Sequence, residues 1–273
     1  MNEARENMSV VRIAMAYWLL GWYMKILFFS HYLRNYIWDF PIRHELFPAF
    51  FSHPLTANLA YALPLFFIPA ILFPAITGRT GLLLANSVFL ICAVILSLHS
   101  DTYNDATFLV SFWVALWMVW VTLHLDRQDE NFRRHARLLA LCLVAMIFLG
   151  GFTGKLTSAY WNGEVVYHTH FLSSPYWPFS WLEKVCSAEQ LRSLATIVSR
   201  GIILMELFIV FCPLMSFRYV FLLIPCLMAS VTIFNTWKIL SVMGGLIGML
   251  LACLVWNEQD RKMKSANDAK INA

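Results

Sequence analysis

Charged side chains are scarce in this sequence of 273 residues. They make up 13% of it, whereas a typical soluble chain carries about 25%. Hydrophobic residues make up 60%, with 22 Phe and 11 Trp, which is more apolar surface than a soluble domain of this length can bury. The composition therefore predicts an all-α, polytopic membrane protein whose first partner is the lipid bilayer. The net charge of +4 is too small to predict binding to a nucleic acid.

Several signatures of catalysis and of disulfide scaffolds are also missing. The sequence has no G-x-S-x-G, Walker A or G-x-G-x-x-G run, which argues against a serine hydrolase, a nucleotide-driven machine and a dinucleotide-binding enzyme. Of the six cysteines, five lie in apolar runs and only Cys186 falls in a long loop. No pair has C-x-x-C spacing, so neither a disulfide framework nor a cysteine metal site is predicted.

Long apolar runs dominate what is present. A helix needs about 20 mostly apolar residues to cross a bilayer, and about eight segments qualify. A charged tail, residues 257–273, follows the predicted membrane domain, residues 1–256. The predicted spans are 10–30, 57–77, 80–98, 106–125, 138–156, 194–216, 218–235 and 238–256.

The distribution of Lys and Arg predicts the orientation of these spans. Eleven fall in the termini and connections of one side and five on the other, so the positive-inside rule places both termini in the cytoplasm. The loop 99–105, with His99, Asp101, Asn104 and Asp105, then emerges on the extracytoplasmic face. The loop after Lys155 emerges on the same face, so a site formed by these loops would open there.

Lys155 stands where an apolar helix gives way to an aromatic loop. Gly150 and Gly154 precede it with the small-xxx-small spacing that lets helix backbones approach closely, and an ionisable group on such a helix indicates a functional site. The alternative is that the lysine extends its ammonium group to the lipid headgroups. Gly244 and Gly248 repeat the spacing in the last span, where we expect packing.

Arg12 lies at the cytoplasmic start of the first predicted span, where we expect it to extend its guanidinium group to the lipid headgroups. Three further charges lie deeper inside predicted spans: Lys25, Arg200 and Glu206. A lone charge at that depth is costly, so each should face the interior of the helix bundle and find a partner. Arg200 and Glu206 are six residues apart and do not share a helix face. The surplus of cations in the outer half predicts a pocket for an anionic group, with structural ion pairs as the alternative.

The loop after Lys155 supplies the remaining candidate side chains for substrate binding. They are Tyr160, Trp161, Glu164, His168 and His170, with His99 and Asp101 from the preceding extracytoplasmic loop. The two histidines share a face only in a strand, whereas Glu164 and His168 share one only in a helix. The three do not converge as catalytic zinc requires, so no metal site is predicted.

Two stretches resemble a known family. The run Gly154-Lys155-Leu156 followed by Tyr160-Trp161 and Gly163 resembles the K-L-x-x-x-W-x-x-G stretch of the vitamin K-dependent γ-glutamyl carboxylases and of the wider HTTM (horizontally transferred transmembrane) family. The segment Tyr103-Asn104-Asp105 leading into Phe108-Leu109 is similar to that family's aromatic-Asn-x-His-x-aromatic-Leu stretch. In the second stretch Ala106 replaces the histidine and Asp105 the neighbouring amide.

The resemblance implies a role for each matching residue. It makes Lys155 the base that starts the reaction of a reduced quinone with oxygen, with Asn104 and Asp105 as further catalytic residues and the quinone as cofactor. A desolvated amine crowded by cations suits such a base. The large extracytoplasmic domain of true carboxylases does not follow, since the chain ends about 17 residues after the last span, so we do not expect full glutamate carboxylation.

Short HTTM members include one required for maturing a secreted bacterial peptide toxin. The expected function is therefore to modify or help to mature an exported peptide, or to act on a quinone-like lipid, in a bacterial inner membrane. A companion membrane or secreted protein would be a further partner. The alternative from another class is a non-catalytic scaffold that recognises a peptide or subunit. A transporter ranks last, because no internal repeat is visible.

Overall fold

The computed structural model of the chain describes residues 2–32, 48, 50, 53–73, 78–98, 106–126, 130–172, 179–215, 219, 224–225, 228 and 240–271. Across these residues the backbone forms helices and short turns without any strand, which confirms the all-α prediction. The predicted site residues His99, Asp101, Asn104 and Asp105 lie outside the described residues, as does most of the predicted span 218–235.

The helices follow one another in simple order. They are α1 (Asn2–Tyr32), α2 (Pro54–Ala62), a 3₁₀ helix (Leu63–Phe67), α3 (Ile68–Leu72), α4 (Arg79–Leu98), α5 (Ala106–Leu123), α6 (Glu130–Gly154), α7 (Ser158–Trp161), α8 (Glu164–Val166), a π-helical turn (Tyr167–Phe171), α9 (Phe179–Val185), α10 (Ala188–Val210), a 3₁₀ helix (Cys212–Leu214) and α11 (Leu240–Ile271).

Among the described residues, six helical segments are long and apolar enough to cross a membrane: Pro54–Leu72, Arg79–Leu98, Ala106–Leu123, Glu130–Gly154, Ala188–Val210 and Leu240–Lys262. The membrane class is thereby supported. The predicted span 10–30 lies within α1, which is not one of the six. Arg12 and Lys25 interrupt its apolar sequence, and both side chains are buried.

The chain divides into two compact units, one of residues 1–140 and 216–273 and the other of residues 141–215. In the first unit α1 packs closely on α11. A Cβ atom added at Gly244 would come within 2.9 Å of Gly21 Cα, and one added at Gly248 within 2.4 Å of Tyr17 Cβ. The expected packing role of Gly244 and Gly248 is confirmed, because only glycine leaves room for this approach.

Stacked aromatic side chains fill the core of the first unit. The Trp18 ring lies 4.6 Å from that of Trp22 and 4.5 Å from that of Phe89, centroid to centroid. Both indoles are satisfied, since Trp18 Nε1 donates to the Ser111 carbonyl at 2.9 Å and Trp22 Nε1 to the Tyr61 carbonyl at 3.2 Å. Buried aromatic rings of this kind give the unit a rigid interior.

A buried ion cluster joins the beginning of α6 to α11. Arg133 Nε lies 2.7 Å from Asp260 Oδ1, and Arg137 Nη1 lies 2.8 Å from Asp260 Oδ2. Helix α11 continues without a break from its apolar part through Asp260 into the charged tail. The basic beginning of α6 and the charged part of α11 therefore lie at one end of the first unit.

In the second unit one face of α10 carries the packing. Its buried residues recur every three or four positions, at Leu191, Ala195, Ser199, Ile203, Glu206 and Ile209, as expected for an amphipathic helix. Val166, Tyr167 and Phe171 of the preceding segment pack on Leu191 and Ala195 in a small core. The aromatic segment after Lys155 thus folds against α10.

Candidate functional site

Lys155 and Glu206 form an ion pair. Lys155 lies just after the last residue of α6, and its Nζ atom donates to Glu206 Oε1 at 2.8 Å. The same nitrogen donates to the Gly151 carbonyl at 3.3 Å. Two residues predicted for the site, 51 positions apart in sequence, are therefore in direct contact.

Gly151 makes room for this pair. A Cβ atom added at Gly151 would lie 3.2 Å from Glu206 Oε1 and 3.4 Å from Glu206 Oε2. At Gly150 and Gly154, which the spacing singled out, an added Cβ meets nothing within 4 Å in the described chain, so the close approach seen there is made at Gly151. The packed face of α6 is turned by one residue from the face that the spacing suggested.

The pair lies at the edge of the protein interior. The Lys155 side chain is 25% exposed and the Glu206 side chain 10% exposed. Glu206 Oε2 is buried and has no hydrogen-bond partner among the described residues. A buried carboxylate oxygen usually has a donor, so Oε2 is an open acceptor within the described part of the chain.

Tyr160 lies beside the pair. Lys155 Nζ is 5.8 Å from the centroid of the Tyr160 ring, within the range of a cation–π contact. Burial, and then the negative charge of Glu206, raises the pKa of the Tyr160 hydroxyl to about 12 from its ordinary value of 10. The phenol is therefore neutral at physiological pH and can donate a hydrogen bond.

This shift of the Tyr160 pKa predicts a pH dependence. The pKa in the folded protein exceeds that in the unfolded chain, so the stability contribution is complete below pH 10 and is lost as the pH rises towards 12. We expect the wild-type protein to lose more stability between pH 10 and pH 12 than Tyr160→Phe. Thermal unfolding of both proteins across that range measures the difference, and parallel curves would contradict the assignment.

Side chains of α10 donate hydrogen bonds to carbonyl groups at the end of α7 and at the residue that follows it. Ser199 Oγ donates to the Tyr160 carbonyl, and Thr196 Oγ1 donates to the Asn162 carbonyl at 2.8 Å. Carbonyls at a helix end lack partners within the helix, so these donors hold the segment on α10.

Arg200 is part of the same attachment. Its Nε atom donates to the Trp161 carbonyl at 3.3 Å, and its guanidinium carbon lies 5.0 Å from the Trp161 ring centroid. Glu206 pairs with Lys155 instead, as the six-residue separation of Arg200 and Glu206 predicted. In the second unit Lys155 is neutralised by Glu206, and in the first unit the Nζ atom of Lys25 lies 6.0 Å from the Phe108 ring centroid. The predicted pocket for an anionic group among these cations stays a prediction.

A second group of predicted site residues lines a cavity of about 200 Å³ near the beginning of α10. The lining residues are Asn162, Gly163, Glu164, Tyr167, His168 and Arg192. Arg192 and Glu206 are 14 positions apart on α10, which corresponds to about 21 Å along the helix axis. Glu164 and His168 therefore belong to a place distinct from the Lys155–Glu206 pair.

The two histidines of the segment face different neighbours. The His168 ring lies 5.3 Å from the Tyr167 ring, whereas the His170 ring lies 5.9 Å from the Phe179 ring, centroid to centroid. The helical turn brings Glu164 and His168 to one cavity and leaves His170 out of its lining. In the part of the chain that the structure describes, no three His, Cys, Asp or Glu side chains are placed to hold a metal ion.

Sequence reasoning missed four residues of these two places: Gly151, Asn162, Arg192 and Ser199. A signal existed for α10, where Ser187 and Gln190 form a capping box that begins the helix six residues before the predicted span. Beginning the helix there places Arg192, Ala195 and Ser199 at intervals of three or four residues, on one side of it. For Gly151 no such signal existed, because the sequence does not show which glycine of the doublet Gly150-Gly151 lies on the packed face of α6.

Neither a protein-family model, nor a curated protein, nor a solved structure matches this chain. The resemblance to the HTTM family is therefore carried by the quoted residues alone. The structure gives four of them contacts: Lys155 pairs with Glu206, Gly163 packs on the backbone of α10, and Tyr160 and Trp161 are bound by Ser199 and Arg200.

Proposed function

We propose that this chain is an HTTM-type integral membrane protein whose Lys155–Glu206 pair is the centre of a site open to the extracytoplasmic side. It modifies or helps to mature an exported peptide, or acts on a quinone-like lipid, in a bacterial inner membrane. The observation that carries the proposal is the buried Glu206 Oε2, which has no donor among the described residues and lies next to a paired lysine. Such an oxygen can accept a hydrogen bond or a proton from a bound substrate.

The proposed topology is eight spans with both termini in the cytoplasm. It is supported by the ion cluster that brings Arg133 and Arg137 of α6 to Asp260 of α11, because both segments are rich in the basic residues that stay inside. Helix α6 then runs from the cytoplasmic side to Lys155 at its opposite end. The Lys155–Glu206 pair faces outwards in this arrangement.

The chemistry proposed for the pair is proton transfer. The resemblance assigns the base to Lys155, and the geometry adds Glu206 as its partner. Lys155 donates to Oε1, so the unoccupied lone pairs of the site are those of Oε2. Oε2 takes the proton of a substrate acid, which leaves the substrate as its anion and Glu206 as a neutral acid. Lys155 carries its own proton while it donates to Oε1, so it acts as the base that the resemblance assigns only after it has given that proton to Glu206. A reduced quinone, if it is the cofactor, would supply the oxidisable ring.

Conservative variants test this proposal. Lys155→Arg keeps the positive charge and the ion pair but cannot give up a proton, and Glu206→Gln keeps the shape but not the basic oxygen. We expect both to lower product formation by about a hundredfold or more at normal membrane abundance. The readouts are the mass of the mature exported peptide and oxygen-dependent oxidation of a reduced naphthoquinone by the purified protein.

Lys184→Gln is the matched control, because Lys184 is exposed at the end of α9 and lies away from the pair. It should leave both readouts unchanged. Should Lys155→Arg and Glu206→Gln retain product within twofold of wild type, the pair is structural. The non-catalytic scaffold, which the direct Lys155–Glu206 contact also fits, would then replace the enzyme.

A further inference from the structure

The cavity beside Arg192 holds two opposite charges that do not meet. Arg192 and Glu164 both line it, yet neither has an ion-pair partner within 4 Å among the described residues. The Arg192 guanidinium is instead held over the Tyr167 ring, with its carbon 5.3 Å from the ring centroid. An arginine fixed in this way keeps its donor groups available for an anion.

The backbone keeps this cavity open. Gly163 adopts a left-handed conformation with φ of 79°, and it lies so near α10 that an added Cβ would be 2.5 Å from Thr196 Cα. The Asn162 carbonyl is bound by Thr196, one turn after Arg192. Asn162, Glu164 and Arg192 are thus held around one space by a fixed contact between the segment and the helix.

Size and charge define what fits. A volume of about 200 Å³ has room for a small polar group of several heavy atoms. A group with one negative charge and nothing else would bind Arg192 but be repelled by Glu164. A zwitterion satisfies both, with its anionic oxygens on the Arg192 guanidinium and its ammonium group on the Glu164 carboxylate.

The surroundings favour a lipid as the source of this group. In sequence, the cavity residues 162–168 lie between the membrane-type segments Glu130–Gly154 and Ala188–Val210, and Arg192 lies in the first turns of the second segment. Apolar side chains of the same segment are exposed beside them: Trp161 is 45%, Val165 38% and Leu172 46% exposed. Aromatic and apolar side chains next to a polar cavity are typical of the membrane interface.

We infer that the cavity formed by Asn162, Gly163, Glu164, Tyr167, His168 and Arg192 binds the zwitterionic headgroup of a phosphatidylethanolamine-type lipid. The phosphate binds Arg192 and the primary ammonium group binds Glu164. A choline headgroup, which has no N–H donor, binds more weakly, and a glycerol headgroup lacks the cation. This site is separate from the Lys155–Glu206 pair and does not depend on the proposed function.

Lipid retention by the purified full-length protein tests the inference. The protein is equilibrated in detergent with equal amounts of phosphatidylethanolamine, phosphatidylcholine and phosphatidylglycerol, and bound lipids are counted by native mass spectrometry. We expect wild type to retain phosphatidylethanolamine about tenfold over the other two. Arg192→Gln should lower that retention about tenfold. Glu164→Gln should shift the preference towards phosphatidylglycerol, because the repelling carboxylate is gone.

Two controls remove the same charges elsewhere in the second unit. Lys184→Gln and Glu189→Gln, at exposed positions outside the cavity, should keep the wild-type preference. Lys155→Arg should keep it too, which separates this site from the proposed catalytic one. If Arg192→Gln does not fold, the shift in Glu164→Gln decides the question.

Three results would overturn the inference. One is equal retention of the three lipids by wild type. Another is the same loss of phosphatidylethanolamine in Arg192→Gln and Lys184→Gln. The third is displacement of the lipid by an equal concentration of free phosphoethanolamine or of a short peptide, which would assign the cavity to a soluble zwitterion or to a peptide end.

Discussion

Replacing Lys155 with methionine is expected to destabilise the protein by about 3 kcal/mol, the lower end of the range for breaking a buried ion pair. The variant removes the donor to Glu206 Oε1 and leaves the carboxylate of a side chain that is only 10% exposed without its partner. The lower end applies because the Lys155 side chain is 25% exposed and water screens part of the interaction. Reversible unfolding of the purified protein in mixed micelles measures the change in the free energy of unfolding.

The double variant Lys155→Met/Glu206→Gln distinguishes a stranded charge from lost packing. Removing the carboxylate as well should recover most of the stability, because a buried amide costs less than a buried unpaired charge. Glu206→Gln alone should cost about 1–2 kcal/mol, since the amide oxygen still accepts from Lys155. If the double variant is no more stable than Lys155→Met, the two side chains do not interact as the structure shows.

Comparing stability with product formation across the Lys155 and Glu206 variants connects the ion pair with function. Lys155→Arg retains a cation beside Glu206, so its stability should fall less than that of Lys155→Met. A loss of product in Lys155→Arg, without a matching loss of stability, is the pattern that proton transfer predicts. A loss of product that follows stability across all the variants would indicate a structural pair instead.

Composition and the length of the apolar runs predicted the class of the fold and, to within a few residues at one or both ends, five of its long apolar helices. Composition and run length are local properties, and a helix in lipid must satisfy its backbone within the segment, so local signals suffice. The face that each helix packs against its neighbours is harder to predict from the sequence. The spacing of Gly150 and Gly154 indicated one face of α6, whereas the contact with Glu206 uses Gly151.

The sequence indicated which residues belong to the candidate site, but not which of them contact one another. Lys155 and Glu206 were singled out because an ionisable group inside a span is costly, and that cost is visible in the sequence. Which charge pairs with which depends on how the segment after α6 packs on α10, and three side-chain bonds to the carbonyls of Tyr160, Trp161 and Asn162 decide it. No periodic pattern in the sequence predicts these hydrogen bonds. The sequence prediction therefore grouped Glu164 and His168 with Lys155, although they line a separate cavity near the beginning of α10.

Changing Gly163 to alanine should have the second large effect, because two costs add at this position. The left-handed backbone, with φ of 79°, disfavours any side chain by about 1–2 kcal/mol. The new Cβ would also lie 2.5 Å from Thr196 Cα and N and 2.8 Å from the Ala195 carbonyl carbon, all backbone atoms that cannot turn away. Displacing them costs a further 1–3 kcal/mol or so.

We therefore expect Gly163→Ala to lower the melting temperature by on the order of 10 °C. It should also expose the segment 158–172 to proteases, because that segment can no longer pack on α10. Gly150→Ala is the matched control: its Cβ meets nothing within 4 Å of the described chain, and alanine favours a helix over glycine by about 1 kcal/mol. Equal melting temperatures for the two variants would show that Gly163 does not touch α10. A Gly163→Ala protein that stays folded but loses phosphatidylethanolamine, while Gly150→Ala retains it, would tie the lipid cavity to this single contact.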